Sequence, residues 1–168
     1  MNKNYSLKII LILLILITAK TLVAKDYNEV FFPQVIVLDG DSIEINNKRI
    51  RLFGIDAPEY EQTCTKDKKE YPCGKIAFKK LKEIIGSNDV NCLTQDIDKY
   101  KREVSICFAG HTDINAKMVS SGWATAYRYY TKKYAREEDE AKSKKLGIWA
   151  GEFEQPYTYR KKHPRKSR

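Results

Sequence analysis

The chain has 168 residues, 32% of them charged, and a formal charge of +9. That length accommodates one domain with a substantial core and excludes two. Lys3, Lys8 and Lys20 supply three of the nine charges and no acid accompanies them, so residues 25–168 carry +6, a balance that suits a polyanionic partner or simply a soluble surface.

In chain order, Lys3 and Lys8 lead into an apolar run from Ile9 to Ala19 broken by Thr18, and Ala24 offers a small residue for cleavage. Residues 1–24 read as a signal peptide, with an uncleaved anchor as the alternative. The run is short for a bilayer, so no stable membrane span is expected after cleavage, and the location is periplasmic or secreted.

Residues 34–38, 42–46 and 49–55 carry strand patterns separated by Asp39-Gly40 and Asn46-Asn47, which predicts three consecutive antiparallel strands. Residues 59–71 are polar and read as a loop. Ile76, Ala77, Leu81, Ile84 and Ile85 then form one helical face, closed by Gly86. Residues 90–94 and 104–108 read as a second strand pair around a charged turn. Pairing about the centre of that turn sets Cys92 opposite Cys107. Cys64 and Cys73 are left to close the loop after the third strand. Four cysteines, with no Cys-x-x-Cys pair and with His111 and His163 off zinc-finger spacing, favour the disulfides Cys64–Cys73 and Cys92–Cys107 over zinc.

Asp113 is placed to cap a short helix through Ile114, Met118 and Val119, ended by Gly122. Tyr127, Tyr129, Tyr130 and Tyr134 read as packing residues. A charged helix spans 133–145, and Ile148 and Trp149 dock on the core. Residues 156–168, rich in basic side chains, read as a flexible tail. The pattern predicts an α+β, mainly β domain over residues 25–155, a five-stranded OB-type barrel with about three packed helices.

Asp41, Asp56 and Glu59 lie close in sequence to Arg51. Carboxylates attract a hard cation and arginine attracts phosphate. Together they suggest phosphodiester hydrolysis.

Five segments, in order, resemble the staphylococcal nuclease-like (thermonuclease) family. They are Asp39-Gly40-Asp41-Ser42; Arg51 with Ile55-Asp56-Ala57-Pro58-Glu59; Asp98-Lys99-Tyr100-Lys101-Arg102; Asn115 with Met118-Val119, Gly122 and Ala124; and Gly147-Ile148-Trp149. The resemblance implies an OB barrel and Ca²⁺-dependent hydrolysis of DNA and RNA. One Ca²⁺ would be held by Asp41, Asp56 and the Ala57 carbonyl. Arg51 and Arg102 would bind phosphate, Glu59 would act as general base, and Lys99 and Tyr100 would contact nucleotide. A monomer is expected. Three positions depart from the family pattern: Ser42 and Ala57 stand where Thr is common, and Lys101 stands where Gly is usual. A non-catalytic nucleic-acid- or polyanion-binding OB module is the competing reading, and it needs none of these carboxylates.

Overall fold

The computed structural model describes residues 35–164. The signal-peptide reading of residues 1–24 lies outside that range. Strands β1 (Val35–Asp39), β2 (Ser42–Ile45) and β3 (Lys48–Leu52) form the expected antiparallel meander. Asn46 and Asn47 join β2 to β3, both at positive φ, as a two-residue hairpin requires. The two-residue strand β4 (Ile55–Asp56) leaves the sheet and pairs instead with β10 (Thr125–Ala126).

Residues 59–71, expected as a loop, contain a small hairpin, β5 (Cys64–Lys66) and β6 (Lys69–Tyr71). No alternation of polarity announces it. It is held from outside, by the Cys64–Cys73 disulfide and by reciprocal Thr65–Glu152 backbone hydrogen bonds of 2.8 Å.

Helix α1 (Cys73–Ile85) buries Ala77, Leu81 and Ile85, the face its spacing predicts, and packs on β1. Strands β7 (Val90–Ile97) and β8 (Glu103–Ala109) follow, with β9 (Thr112–Asp113) pairing back on β8. Strand β8 runs parallel to β3, giving the order β1-β2-β3-β8-β7. This is an α+β fold with an OB-type curled sheet. Cys92 and Cys107 are direct partners in the β7–β8 ladder and are bridged, so both expected disulfides form. The ladder is symmetric only as far as Thr94. A bulge between Thr94 and Asp96 then shifts the register by one residue and skews the hairpin tip.

Helix α2 (Ile114–Ser120) is capped by Asp113, whose Oδ1 accepts the Ala116 N–H at 2.9 Å. Helix α3 (Ala135–Ser143) and a 3₁₀ turn (Gly147–Ala150) follow. Ile43, Leu52, Leu81, Ile114, Met118 and Val119 form the main core, while Ile148 packs with the Cys64–Cys73 disulfide. Tyr134 is buried, as the packing reading expects, but Tyr129 is almost wholly exposed.

The reading of 156–168 as a flexible tail does not hold for its first half. Residues Pro156–Lys162 form a fourth helix, α4. Pro156 is buried at its start, where a missing N–H costs nothing. None of the helices among the described residues is long and apolar enough to cross a membrane.

Candidate active site

The site is assembled where the β1–β2 turn, the end of β3 and the segment after β4 meet. Asp39 braces the turn by accepting the Asp41 N–H at 3.1 Å. Gly40 lets the turn lie close: a Cβ there would stand 2.7 Å from the Ala57 Cβ and 3.0 Å from that of Ala77. Asp41 and Asp56 are both buried.

Arg51 stands between these two carboxylates. Its Nη1 donates to Asp41 Oδ1 at 3.3 Å, and its Nη2 lies 3.0 Å from Asp41 Oδ2 and 2.9 Å from Asp56 Oδ1. Ser42 Oγ and the Ala57 N–H also donate to Asp41, at 3.0 and 3.3 Å. The strand ladder explains the convergence. Ser42, the first residue of β2, is the cross-strand partner of Arg51, so Asp41, just before it in the turn and free of the strand's alternation, lies beside the arginine.

Burial opposes charge on Asp41, but Arg51, Arg160 and the Ala57 N–H outweigh it and hold the carboxyl below its ordinary value. Burial together with the neighbouring Asp41 charge pushes Asp56 up, against the pull of both arginines. The Asp41 charge, outweighing burial, raises Arg51 further and keeps it cationic.

Glu59 joins this group through a residue that sequence reasoning missed. Arg160 of α4 places Nη1 at 2.7 Å from Asp56 Oδ1 and 3.0 Å from Glu59 Oε1. Burial works to lower the Arg160 pKa, yet the hydrogen bonds to Asp56 and Glu59 leave it raised. Gln62 supports the same segment: its Oε1 accepts the Glu59 N–H at 3.2 Å and its Nε2 donates to the Glu154 carbonyl at 2.6 Å.

Arg102 is held separately. Asp98 accepts its backbone N–H at 2.9 Å and its Nε–H at 2.8 Å, and also the Tyr100 N–H at 2.9 Å. Arg102 lies two residues before Val104, whose ladder partner is Arg51, so the parallel pairing carries both arginines to neighbouring positions of the sheet. Lys101 takes φ +63°, a conformation that costs a non-glycine residue about 1 kcal/mol. The Asp98 bonds hold the turn regardless. Lys99 and Tyr100 lie in the exposed turn between β7 and β8, with the Lys99 Nζ 5.1 Å and the Arg102 guanidinium 5.6 Å from the Tyr100 ring centre.

Asp98 carried a legible signal, a short acidic side chain opening a turn. Asn115, part of the fourth family-like segment, has a structural task. Its Oδ1 accepts the Cys107 N–H at 3.1 Å, and its Nδ2 donates to the Phe53 and Ser105 carbonyls at 2.9 and 3.1 Å. It thereby ties the segment after β3 to β8.

The donor set fits a hard divalent cation. Asp41 and Asp56 present carboxylate oxygens from a buried site, the chemistry Ca²⁺ prefers. Among the described residues no three His, Cys, Asp or Glu side chains cluster closely enough to hold a metal by themselves. A bound ion would therefore need oxygens from backbone, water or substrate, as an open catalytic site does.

The staphylococcal nuclease homologue family matches residues 49–151, more than half of the chain. The chain belongs to this family. The micrococcal nuclease of Shigella flexneri is 32% identical over 145 residues, covering 76% of this chain and 78% of that protein. The succinoglycan biosynthesis protein ExoI of Rhizobium meliloti is 35% identical over 130 residues, covering 75% of this chain and 68% of that protein. A probable staphylococcal-like nuclease of Oryza sativa, CAN3, is 30% identical over 131 residues, which is 76% of this chain but 32% of the rice protein. The family match spans β3 to the 3₁₀ turn, so it includes Arg51, Asp56, Glu59 and Arg102. Asp41 and Arg160 fall on either side of it.

Proposed function

We propose that this protein is an exported, Ca²⁺-dependent nuclease that hydrolyses phosphodiester bonds in DNA, RNA or both, acting as a monomer. The observation that carries the reading is the shared clamp of Arg51 on two buried carboxylates beside Glu59. Family membership and the relatives named as nucleases support it. The two disulfides support an oxidising compartment, periplasmic or extracellular.

Asp41, Asp56 and the Ala57 carbonyl would hold the ion, which supplies positive charge to a phosphate oxygen. Arg51 and Arg102 would donate to the remaining phosphoryl oxygens as charge builds on them. A guanidinium has five N–H donors. Arg51 directs Nη1 and Nη2 at the aspartates, and its Nε–H is the donor we assign to a phosphate oxygen. Glu59 would take a proton from the attacking water as that oxygen bonds to phosphorus and the ester P–O bond breaks, the departing oxygen taking a proton from solvent to leave as an alcohol. Lys99 and Tyr100, on the exposed turn, would contact the nucleotide flanking the cut.

The test is digestion of plasmid DNA and of RNA, with Ca²⁺ and with excess chelator, by the wild type, Arg51→Lys and Glu59→Gln. Metal-dependent cutting, lost in both variants, is the expected result. Salt-sensitive binding without cutting by the wild type would instead make the protein a binding module.

A further inference from the structure

We propose that Arg160 is a built-in antagonist of the divalent cation: it occupies the carboxylates the ion needs and must yield when the ion loads. The inference rests on the metal site proposed above. Asp56 Oδ1 accepts from two guanidiniums at once, Arg51 Nη2 at 2.9 Å and Arg160 Nη1 at 2.7 Å. The same Arg160 nitrogen reaches Glu59 Oε1 at 3.0 Å. It thus bridges two carboxylates, as a small cation would. An ion bound through Asp56 meets Arg160 as a competitor for Oδ1 or as a like charge in the same buried shell, and repulsion there is only weakly screened.

Of the two arginines, Arg160 is the one able to leave. Arg51 sits on β3, bonded on one side to β2 and on the other to β8, and holds Asp41 through both terminal nitrogens. Arg160 sits on α4, a seven-residue helix in which Pro156 is the single buried residue. Its other ties are thin: Tyr159 Oη donates to the Glu61 carbonyl at 3.4 Å, and Lys162 Nζ lies 2.6 Å from Glu154. A helix with so few buried contacts opens at small cost. Metal loading should therefore loosen α4.

Calorimetric titration of the purified protein with CaCl₂, without nucleic acid, tests this on the wild type, Arg160→Ala and Arg160→Lys, with circular dichroism confirming the fold of each. Arg160→Ala should bind Ca²⁺ about tenfold more tightly, the size of one charge-assisted contact removed from competition. Arg160→Lys should fall between it and the wild type, and it carries the test if the alanine variant does not fold. Backbone amides of residues 156–162 should exchange hydrogen faster when Ca²⁺ is added to the wild type. Unchanged or weaker affinity in a folded Arg160→Ala, with normal binding by the wild type, overturns the antagonist role alone. Absence of Ca²⁺ binding in every variant overturns the metal site itself.

Discussion

Gly74, at the start of α1, lies against the backbone of Glu59: a Cβ on Gly74 would stand 1.7 Å from the Glu59 carbonyl oxygen. The Gly74 N–H also donates to the Gln62 carbonyl at 3.1 Å. The first turn of α1 is thus the floor on which the segment carrying the proposed base rests. Alanine is otherwise the better helix former by about 0.5–1 kcal/mol, but here the clash decides the sign. Gly74→Ala should destabilise the fold by about 1–3 kcal/mol and lower turnover by displacing Glu59. Urea unfolding and initial rates check both, and a neutral or stabilising outcome would refute the floor role.

Asp98 should matter for activity more than for folding. Asp98→Asn keeps the shape of the side chain but removes the charge that receives the Arg102 Nε–H and Nη2–H, each at 2.8 Å. Arg102 would lose its fixed direction, and misplacing one catalytic group costs about a hundredfold in rate. A variant with wild-type turnover would show that Arg102 needs no such anchor. At the adjoining position, Lys101→Gly should relieve the left-handed backbone and raise stability by up to about 1 kcal/mol, readable as a higher Tm.

Arg51→Ala should damage the fold as well as the reaction. It removes the close cation of Asp41 and one of the two that hold Asp56, which keeps Arg160, and breaking a buried pair costs about 3–5 kcal/mol. Arg51→Lys restores one positive charge without the fork. It should recover most of the stability while turnover stays reduced by at least about a hundredfold. Rates that recover along with stability would mean that Arg51 serves structure alone.

Acid should weaken the site before it unfolds the protein. In the metal-free state Asp56 titrates above its ordinary value of 3.8, because burial and the Asp41 charge resist its ionisation. Asp41 titrates below 3.8, because the charges of Arg51 and Arg160 outweigh burial. The folded protein holds the Asp56 proton more tightly than the unfolded chain does, so protonating Asp56 does not drive unfolding. Asp41 has the opposite sign. Its contribution is present above 3.8 and is lost as the pH falls through its lower folded value. Ca²⁺ affinity should therefore fall at a higher pH than the circular dichroism signal does. Carboxyl carbon NMR resolves the two titrations, and the reverse order would refute this account.

Much of the site could be read from local sequence because its parts sit where regular patterns break. Asp41 lies between two strand patterns, and Asp56 and Glu59 flank the proline that ends a third. The helical spacing of Ile76, Ala77, Leu81 and Ile85 likewise predicts the face of α1 that is buried. The β5–β6 hairpin was not legible, because a disulfide and Glu152 hold it from outside. The bulge between Thr94 and Asp96 was equally silent, since polar residues on an exposed strand show no preference of face.

By itself the sequence determined the meander, the buried face of α1, the pairing of four cysteines and the acids and arginines of the proposed chemistry. The first three follow from side-chain periodicity and turn residues, which act over a few neighbours, and the grouping of Asp41, Asp56 and Glu59 with Arg51 follows from charge, whereas Arg102 and the roles of all five are what the family resemblance implies. Only the tertiary structure decided which cations reach those acids. A basic run near the chain end looks the same whether it is solvated or docked, so nothing local distinguished Arg160 from the lysines beside it. Its contact with Glu59 spans 101 positions and exists because α4 folds back onto the segment after β4, where the attraction of buried carboxylates offsets the cost of ordering the helix.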